Sequence, residues 1–553
     1  MFTLLNSAGF GAGDFIEFTL AALLVVMAVV SRPWIEPLAR QFAPKTGWCM
    51  LLLALLPIAL RIAMLPQHGV PLPSVYDEFG HLLVADTLLH FRLANPPHAM
   101  HQFFETFFVL QTPAYASIYP IGEGLTLAIG RALFGLPWAG VLLSTAAMCS
   151  LCYWMLRGWT SPEWALLGGI LAVIEFGPLN AWMNSYWGGS FAAVAGCLVF
   201  GALPRLRATG RPACGAVLGL GLGLHWLTRP YETIFLAIAV LLFLFPHFRW
   251  LAKPALAAAC VLLPAIALSL VQHKQVTGSW TTLPYALSRY QYGVPAAFTW
   301  QRNPEPHNDL THEQQLQYKM QTSFRASGQE TVQTYLARLE YRIRFYRFFF
   351  LPPLYLALPF FFVKMRDRRF LWVALTLVIF ALGVNFYPFF EVHYLGALTC
   401  LFVLVSIVGL QQIGYNAARW IVLLCFAFFI FWYTRSFFDQ PRPDPRAAVD
   451  RQLAQSPGQQ LVFVRYWPQH IFQDEWVYNG ADIDHQRVVW ARDLGASEDR
   501  KLIQYYPSRT AWLLEPDAAP PRLSHYRAEE QQPPKPTAPV PNTSTPLRFE
   551  QVK

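Results

Sequence analysis

Long apolar runs recur along the chain and limit its possible folds more than any other feature of the sequence. A hydrophobic stretch of roughly 17 to 25 residues is long enough to cross a bilayer as an α-helix. Such runs lie near residues 15–31, 47–65, 139–157, 164–180, 188–204, 213–228, 231–247, 254–272, 347–364, 370–387, 394–412 and 418–435. The sequence therefore predicts a polytopic α-helical membrane protein with about twelve transmembrane helices. The first run is expected to be a retained span, because it has neither a basic leader nor a small-residue cleavage site.

The distribution of charge gives this membrane protein a predicted orientation. Only 14% of the 553 residues are charged, and the net charge is +9, but no basic run is interleaved with aromatics as nucleic-acid binding would require. The basic residues instead fall on alternate connections, at Arg32, Arg40, Lys45, Arg157, Arg205, Arg207, Arg211, Arg249, Lys253, Lys364, Arg366, Arg368, Arg369 and Arg419. The positive-inside rule then places both termini, the loops 66–138 and 273–346 and the tail from 436 on the outer face, as in a multi-pass protein of a bacterial inner membrane.

Some segments are apolar or patterned without being expected to span. Residues 122–134 and 83–91 mix apolar and charged residues and favour amphipathic helices on the outer surface, where they would form the floor of a cavity. Gly215, Gly219 and Gly223 predict a close helix-packing face, because no strand precedes them as in a nucleotide-binding loop. The eight cysteines lie in or beside apolar runs, so the sequence indicates neither a disulfide framework nor a zinc site.

The composition changes after residue 435, where proline and charged residues become more frequent. Short β-like runs lie at 461–466, 487–491 and 510–514, and a helix-like segment at 498–505. This pattern predicts a small outer α/β domain over residues 436–516. The Pro-rich tail, 517–553, is expected to be disordered.

An acidic pair, Asp77 and Glu78, follows the second predicted span where the chain should leave the membrane. Carboxylates near a bilayer are expensive to keep and indicate a functional site, although a solvated loop start is the alternative. The same loop is rich in other polar groups, at His90, Arg92, His98, His101 and Glu105, followed by the aromatic, proline-containing stretch 111–120.

This loop resembles the GT-C superfamily of membrane glycosyltransferases, in the bacterial branch akin to protein O-mannosyltransferases and lipid A aminoarabinose transferases. Tyr-Asp-Glu at 76–78 matches the family's acidic motif, and Tyr-Pro-Ile-Gly at 119–122 is similar to its Tyr-Pro-Pro-Gly segment. The resemblance extends over residues 47–435, mainly through topology. The chain departs from the family at Ile118 and Ile121, where relatives often carry a Lys and a second Pro, and in its extra N-terminal span.

The resemblance implies a hexosyltransferase that moves a sugar from a polyprenyl-phosphate carrier to a glycan, lipid or protein acceptor at the outer face. An acceptor hydroxyl that attacks an anomeric carbon must lose its proton, and a nearby carboxylate can accept it. Since phosphate is a competent leaving group, an inverting displacement needs only one base. Asp77 is the predicted base, with Glu78 either the alternative or the group that holds Asp77 in place.

A lipid phosphate also needs a cation at the outer boundary of the membrane. Arg229 lies between two apolar runs on the outer side and can bind phosphate through two N–H groups. Alternatively, its side chain could snorkel and pair with Glu232. The other predicted substrate-binding residues are Tyr76, Tyr119, Arg289, His393 and Tyr394, and the tyrosines Tyr285, Tyr290 and Tyr292 could stack on a sugar.

His101 and Glu105 lie four residues apart, a spacing that would place both on one face of a helix as weak candidate ligands for a divalent metal. Spacing alone does not make a metal site, so hydrogen bonding within the loop, with a role in substrate binding, is the preferred interpretation. The segment 184–189 could border the cavity or form a tight turn with an interfacial aromatic anchor.

Two other classes of protein fit the same predicted topology. One is a twelve-span secondary transporter, and the other is a noncatalytic scaffold for cell-envelope assembly. Transporters usually contain internal repeats and bind substrate near the bilayer midplane, whereas the polar residues of this chain gather on one face. The sequence therefore favours the enzyme.

Overall fold

The computed structural model describes residues 35–246, 251–323, 330–438 and 444–527, so the first predicted span, 15–31, lies outside the described residues. The α-helices are α1 Ile35–Phe42, α2 Thr46–Ala63, α3 Tyr76–Leu89, α4 Ile121–Phe134, α5 Pro137–Leu156, α6 Pro162–Phe176, α7 Ser190–Thr209, α8 Pro212–Trp226, α9 Pro230–Leu244, α10 Ala252–Thr277, α11 Pro284–Tyr292, α12 His312–Ser323, α13 Val332–Ile343, α14 Arg368–Val384, α15 Thr399–Ile413, α16 Tyr415–Ser436, α17 Pro445–Gln455 and α18 Ala496–Tyr505. The strands are β1 Val109–Leu110, β2 Ala116–Ser117, β3 Gln460–Val464, β4 Val488–Arg492, β5 Thr510–Glu515 and β6 Arg522–His525.

Six helical segments in the described residues are long and apolar enough to cross a membrane. They are Thr46–Ala63, Pro137–Leu156, Ser190–Thr209, Ala252–Thr277, Val392–Ile413 and Tyr415–Ser436. By length and composition, these segments make the chain an integral membrane protein. The helices α6, α8, α9 and α14 cover four further predicted runs but have only 15 to 17 residues each.

The predicted span at 347–364 does not form one α-helix. The chain instead forms three consecutive 3₁₀ segments there, Arg344–Phe349, Pro352–Leu356 and Leu358–Arg366. Prolines at 352, 353 and 359 explain the difference, because each removes a backbone donor and its ring clashes with the preceding helical turn. An apolar run of sufficient length was therefore a misleading signal at this position.

The predicted glycine face packs α8 closely against α10. A Cβ atom on Gly215 would lie 2.1 Å from the carbonyl oxygen of Pro254, and one on Gly219 would lie 2.2 Å from that of Ala258. Both distances are too short for any side chain, so the two backbones touch only because these residues are glycine. The prediction of a helix-packing face is confirmed.

The helices α3 and α4 correspond to the two predicted surface helices. The first begins at Tyr76 rather than at residue 83, so the acidic pair lies in its first turn and not in a loop before it. The two helices pack tightly, since a Cβ atom on Gly124 would lie 2.3 Å from Cγ1 of Val84. Tyr76, Asp77 and His81 of α3 line a large cavity, as expected for its floor.

The C-terminal segment contains a four-stranded sheet with the order β4-β3-β5-β6. The first three strands are parallel, and β6 is antiparallel to β5. Successive residues of β3 point to opposite faces, so Val462 packs with α17 on one face and Phe463 packs with α18 on the other. The strands β3, β4 and β5 lie within about two residues of the predicted β-like runs.

The sheet continues beyond residue 516, the predicted end of the domain. Trp512 pairs with His525 and Glu515 pairs with Arg522 across β5 and β6. The sequence of β6, Arg-Leu-Ser-His, is too short and too polar to predict a strand. Residues 522–525 therefore do not belong to a disordered tail, and residues 528–553 lie outside the described residues.

Candidate active site

A cavity of about 1140 Å³ lies where α3, α11 and α13 meet the turns that precede α9 and α15. It is large enough for a lipid head group together with a second substrate. The predicted site residues that line it are Tyr76, Asp77, Tyr119, Arg229, Arg289, His393 and Tyr394. Of the other predicted residues, Glu78, His101 and Glu105 do not line it.

Asp77 lies in the first turn of α3 and faces the cavity. The hydroxyl group of Tyr119 donates a hydrogen bond to its Oδ1. Burial raises the pKa of Asp77 to about 7, while the Tyr119 hydrogen bond and the charge of Arg229 oppose that rise. Burial also raises the pKa of Tyr119, so this residue stays protonated as the donor. Asp77 can therefore exchange a proton near neutral pH.

Glu78 has both carboxylate oxygens occupied and is only 4% exposed. Its Oε2 accepts from the backbone N–H groups of Ser74 and Val75 at 2.9 and 3.3 Å, and its Oε1 accepts from that of Tyr186 at 2.9 Å. These bonds fix the start of α3 and join it to the 184–189 segment. Among the two predicted alternatives for Glu78, this arrangement favours the group that holds Asp77 in place.

The 184–189 segment borders the cavity through the side chain of Trp187. Asn184 ties the segment to the bundle, because its Oδ1 accepts from Nε of the buried Arg61 at 2.6 Å. The ring of Trp187 lies 5.6 Å from that of His393. The segment therefore supplies a cavity wall as well as a turn.

The guanidinium group of Arg229 lies 4.8 Å above the ring of Tyr394. In the part of the chain that the structure describes, this group makes no hydrogen bond and no salt bridge, so the alternative pairing with Glu232 does not form. Glu232 still contributes a favourable charge interaction. The N–H groups of Arg229 are thus available to an anion, and the ring of Tyr394 holds the guanidinium plane.

The other arginines of the cavity already donate to the backbone. Arg289 donates to the carbonyl oxygen of Pro295 at 3.1 Å. Arg338 donates to Asn385 at 2.9 Å, and Arg342 donates to the carbonyl oxygens of Val384, Tyr387 and Pro388 at 2.6 to 3.0 Å. Sequence analysis missed Arg338 and Arg342, although two arginines four residues apart in an amphipathic run were an available signal.

Glu391, three residues before Tyr394, is another carboxylate of the cavity, which Asp77 and Glu232 also line. Burial and the charge of Asp77 together raise the pKa of Glu391 to about 7, against the opposing charge of Arg229. Two carboxylates in one cavity that titrate together have pKa values that belong to the pair. The cavity as a whole therefore gains or loses protons close to neutral pH.

The C-terminal segment contributes to the cavity as well, which no pattern in the sequence predicts. Val75 forms an antiparallel bridge with Asp474, and the N–H of Glu475 donates to the carbonyl oxygen of Ser74 at 3.3 Å. The neighbouring Gln473 lines the cavity. A loop of the C-terminal segment thus pairs with the backbone two residues before Asp77.

His101 and Glu105 lie outside the cavity and are not on one α-helix. A 3₁₀ turn covers His101–Phe104, and Glu105 follows it in an extended conformation. Glu105 accepts from the Tyr292 hydroxyl of α11 at 3.4 Å and from Nε2 of Gln314 of α12 at 3.3 Å, so its hydrogen bonds join its own loop to these two helices. Within the described ranges, no group of three or more His, Cys, Asp and Glu residues could hold a metal ion.

Only one of the three tyrosines predicted to stack on a sugar lines the cavity. Tyr285 does so, whereas Tyr290 stacks on the ring of His307 at 3.9 Å and Tyr292 turns toward Glu105. Tyr290 lies five residues after Tyr285 on the short helix α11, so its side chain points about 140° away. Tyr292 lies seven residues after Tyr285, on nearly the same face of the helix, but its hydroxyl group donates to Glu105. A cluster of aromatics in sequence is therefore not a cluster in the cavity.

One edge of the cavity is apolar and reaches the surface of the molecule. Ile234 of α9 and Tyr341 of α13 both line this edge, and each is 52% exposed. The same helix α13 presents Leu336 and Ile343 outward. Exposed apolar surface beside an opening suits a ligand whose hydrocarbon chain remains in the membrane.

No protein-family model and no curated protein matches the chain. Among solved structures, it is similar to ArnT from Cupriavidus metallidurans in the apo state, with 12% identity and a TM-score of 0.49 over 85% of this chain and 93% of that one. The same protein bound to undecaprenyl phosphate gives 11% identity and a TM-score of 0.48, with 85% and 93% covered. The Archaeoglobus fulgidus oligosaccharyltransferase in complex with zinc and sulfate gives 11% and 0.46, with 84% and 67% covered.

Proposed function

We propose that the chain is a GT-C-type membrane glycosyltransferase that transfers a hexosyl group from a polyprenyl-phosphate carrier to an acceptor hydroxyl group. The observation that carries this proposal is that Asp77, whose pKa is near neutral, and Arg229, whose N–H groups are available, face one cavity. The apolar edge at Ile234 and Tyr341 gives the carrier chain a path from the membrane. The Tyr-Asp-Glu motif at 76–78 supports the same assignment.

In the proposed reaction, Asp77 accepts the proton of the acceptor hydroxyl as its oxygen attacks the anomeric carbon. The bond between that carbon and the phosphate oxygen breaks, and the electron pair leaves with the carrier phosphate. Asp77 then releases the proton to water in the cavity. The Tyr119 hydroxyl holds Oδ1 of Asp77 and leaves the other carboxylate oxygen for the acceptor.

Arg229 is proposed to bind the carrier phosphate and to stabilise the negative charge that develops as it leaves. Arginine suits this role because its planar fork matches two phosphate oxygens. Tyr394 fixes the plane of that fork from below. Ile118 stands where relatives of the GT-C family often carry a Lys, and Arg229 takes over part of that role.

The finer topology belongs to the same proposal. We place the cavity, and an α/β domain beginning near residue 436, on the outer face of a bacterial inner membrane. The Arg-rich connection between α7 and α8, with Arg205, Arg207 and Arg211, would then face the cytoplasm. A count of twelve crossings requires the short helices, the broken 344–366 segment and the run at 15–31 all to cross.

The test uses the full-length protein in lipid nanodiscs with undecaprenyl-phosphate-linked hexoses as donors and a cell-envelope extract as the acceptor source. Release of undecaprenyl phosphate and incorporation of labelled sugar are measured together. We expect extract-dependent release by the wild-type protein. If the wild-type protein neither binds undecaprenyl phosphate nor consumes any hexosyl donor, the proposed function is wrong.

A further inference from the structure

A small recess adjoins the floor of the cavity beneath Arg229. Its volume is about 10 Å³, which is close to the space that one water-sized group needs. Its wall includes His81, Tyr119, Glu123, Gly188 and Arg229. Arg229, His81 and Tyr119 also line the main cavity, so the recess is next to the proposed phosphate position.

Two polar atoms in this wall have no hydrogen-bond partner among the described residues. They are Nδ1 of His81 and Oε2 of Glu123, and the two residues are only 6% and 3% exposed. A buried polar atom without a partner costs free energy, so it is normally satisfied by a ligand or by water. Both residues line the recess, and Oε2 of Glu123 lies beside Gly188 of the same wall, which indicates a group that can bond to both residues.

The backbone at Gly188 keeps the recess beside Glu123 open. A Cβ atom there would lie 2.8 Å from Oε2 of Glu123, and the φ angle of Gly188 is +86°. Any other residue would therefore press against the carboxylate and strain the backbone.

The charges around the recess favour a neutral hydroxyl group over a metal cation. Burial and the charge of Arg229 lower the pKa of His81 to about 3, so its imidazole is neutral and both donates and accepts. Burial raises the pKa of Glu123 to about 7. The guanidinium group of Arg229 beside them repels a metal cation. A hydroxyl group can donate to one of these residues and accept from the other.

We propose that this recess is the subsite that recognises one hydroxyl group of the donor sugar, with Glu123 and His81 as its specificity-determining residues. The proposal rests on the proposed function, because a phosphate on Arg229 brings its attached sugar to the mouth of the recess. The recess holds a single oxygen atom. It therefore distinguishes sugars that place a hydroxyl there from epimers that do not.

The experiment measures binding of four carriers to the full-length protein in nanodiscs. These are undecaprenyl phosphate and the same lipid bearing glucose, mannose or galactose. Deoxy analogues of whichever hexose binds best are then measured in the same way. We expect one hexose to tighten binding over undecaprenyl phosphate alone, and Glu123→Ala and His81→Ala to reduce that gain by at least about tenfold. The affinity for undecaprenyl phosphate should remain unchanged in both variants. Thr126→Ala, a buried change on the same helix that does not line the recess, should have no effect.

The deoxy analogues test the wild-type protein independently of any folding defect in a variant. One deoxy analogue should bind the wild-type protein as weakly as the complete sugar binds the Glu123→Ala variant. The affinity for that analogue should be the same in the variant as in the wild-type protein. If both variants keep the sugar preference, the recess holds water only and the proposal is overturned. If undecaprenyl phosphate binding falls equally, the two residues are structural and the proposal is also overturned. If the wild-type protein binds undecaprenyl phosphate but none of the sugars adds affinity, the subsite is wrong while the carrier site stands.

Discussion

Asp77→Asn separates the proposed chemistry of the cavity from its architecture. The amide keeps the shape of the side chain and can still accept the Tyr119 hydrogen bond, but it cannot take up a proton. Loss of a general base reduces a rate by about a hundredfold to ten-thousandfold, which corresponds to roughly 3 to 5 kcal/mol in the barrier. Binding of the donor should change little, because Arg229 and the apolar edge remain.

The dependence of the wild-type rate on pH follows from the buried position of Asp77. Burial raises its pKa to about 7, and only the ionised form can act as a base. The value of kcat/KM should therefore rise with pH through about 7 and fall as the pH drops below it. Because Glu391 titrates in the same range, the rise should be broader than the roughly two pH units over which a single group titrates.

The same substitution should stabilise the folded protein at alkaline pH. A carboxyl group whose folded-state pKa is raised contributes stability below its unfolded pKa, near 3.8, and loses it as the pH rises through about 7. At about pH 8, removing the buried charge should raise the free energy of unfolding, by on the order of a few kcal/mol at most. At about pH 4 the difference should disappear.

The assay compares kcat/KM and thermal stability for wild-type protein, Asp77→Asn and Asp309→Asn across this pH range. Asp309 is an exposed residue of the connection between α11 and α12 and serves as the matched control. Full activity in Asp77→Asn together with an inactive Glu78→Gln would assign the role of general base to Glu78. Activity in the double variant would refute the mechanism, and a lower stability of Asp77→Asn at alkaline pH would refute the account of its burial.

Three further predictions follow from the cavity and its orientation. Arg229→Lys should weaken donor binding, because only Arg offers the phosphate a planar fork. Arg229→Ala should weaken it further, by roughly 1.5 to 3 kcal/mol in binding free energy. Unchanged affinity for undecaprenyl phosphate in Arg229→Ala would show that this residue does not bind the phosphate. A cysteine introduced at Ser323 should react with an impermeant reagent in intact cells, whereas one introduced at Gly210 should react only after the cells are permeabilised. Labelling of both cysteines in intact cells would invalidate the orientation. Gln473→Ala should raise the KM of one substrate with no loss of thermal stability, whereas Ile471→Ala, an exposed change on the same loop, should leave that KM unchanged. Equal effects of the two substitutions on the KM would exclude a role for Gln473 in the cavity.

Hydrophobic patterns in the sequence predicted those helices and strands whose formation depends on residues close together in the chain. Long apolar runs gave most of the helices, and β-like runs located β3, β4 and β5, because each pattern reports burial within a few residues of chain. The prolines within 344–366 indicated that no single α-helix forms there, but the length and hydrophobicity of the run predicted a span. The strand β6 was not predictable, since its pairing with β5, rather than its composition, makes it a strand.

The candidate site was predictable only as a set of residue types on one face. Asp77, Arg229 and Tyr394 could be singled out because charge and aromaticity beside an apolar run are unusual. Their arrangement depends on contacts between distant parts of the chain. Gln473 could not have been found this way, because no charged or aromatic residue beside an apolar run marks its position in the sequence.

The different environments of the acidic pair show how the fold assigns roles to adjacent carboxylates. Consecutive residues on an α-helix point about 100° apart, so Asp77 can face the cavity only if Glu78 faces elsewhere. The N–H groups of Ser74, Val75 and Tyr186 surround Glu78 and make that direction favourable for it. The bridge from Val75 to Asp474 then fixes the same turn from the C-terminal segment. Because this bridge joins residues almost 400 positions apart, the geometry of the first turn of α3 depends on a contact that no local sequence pattern reports.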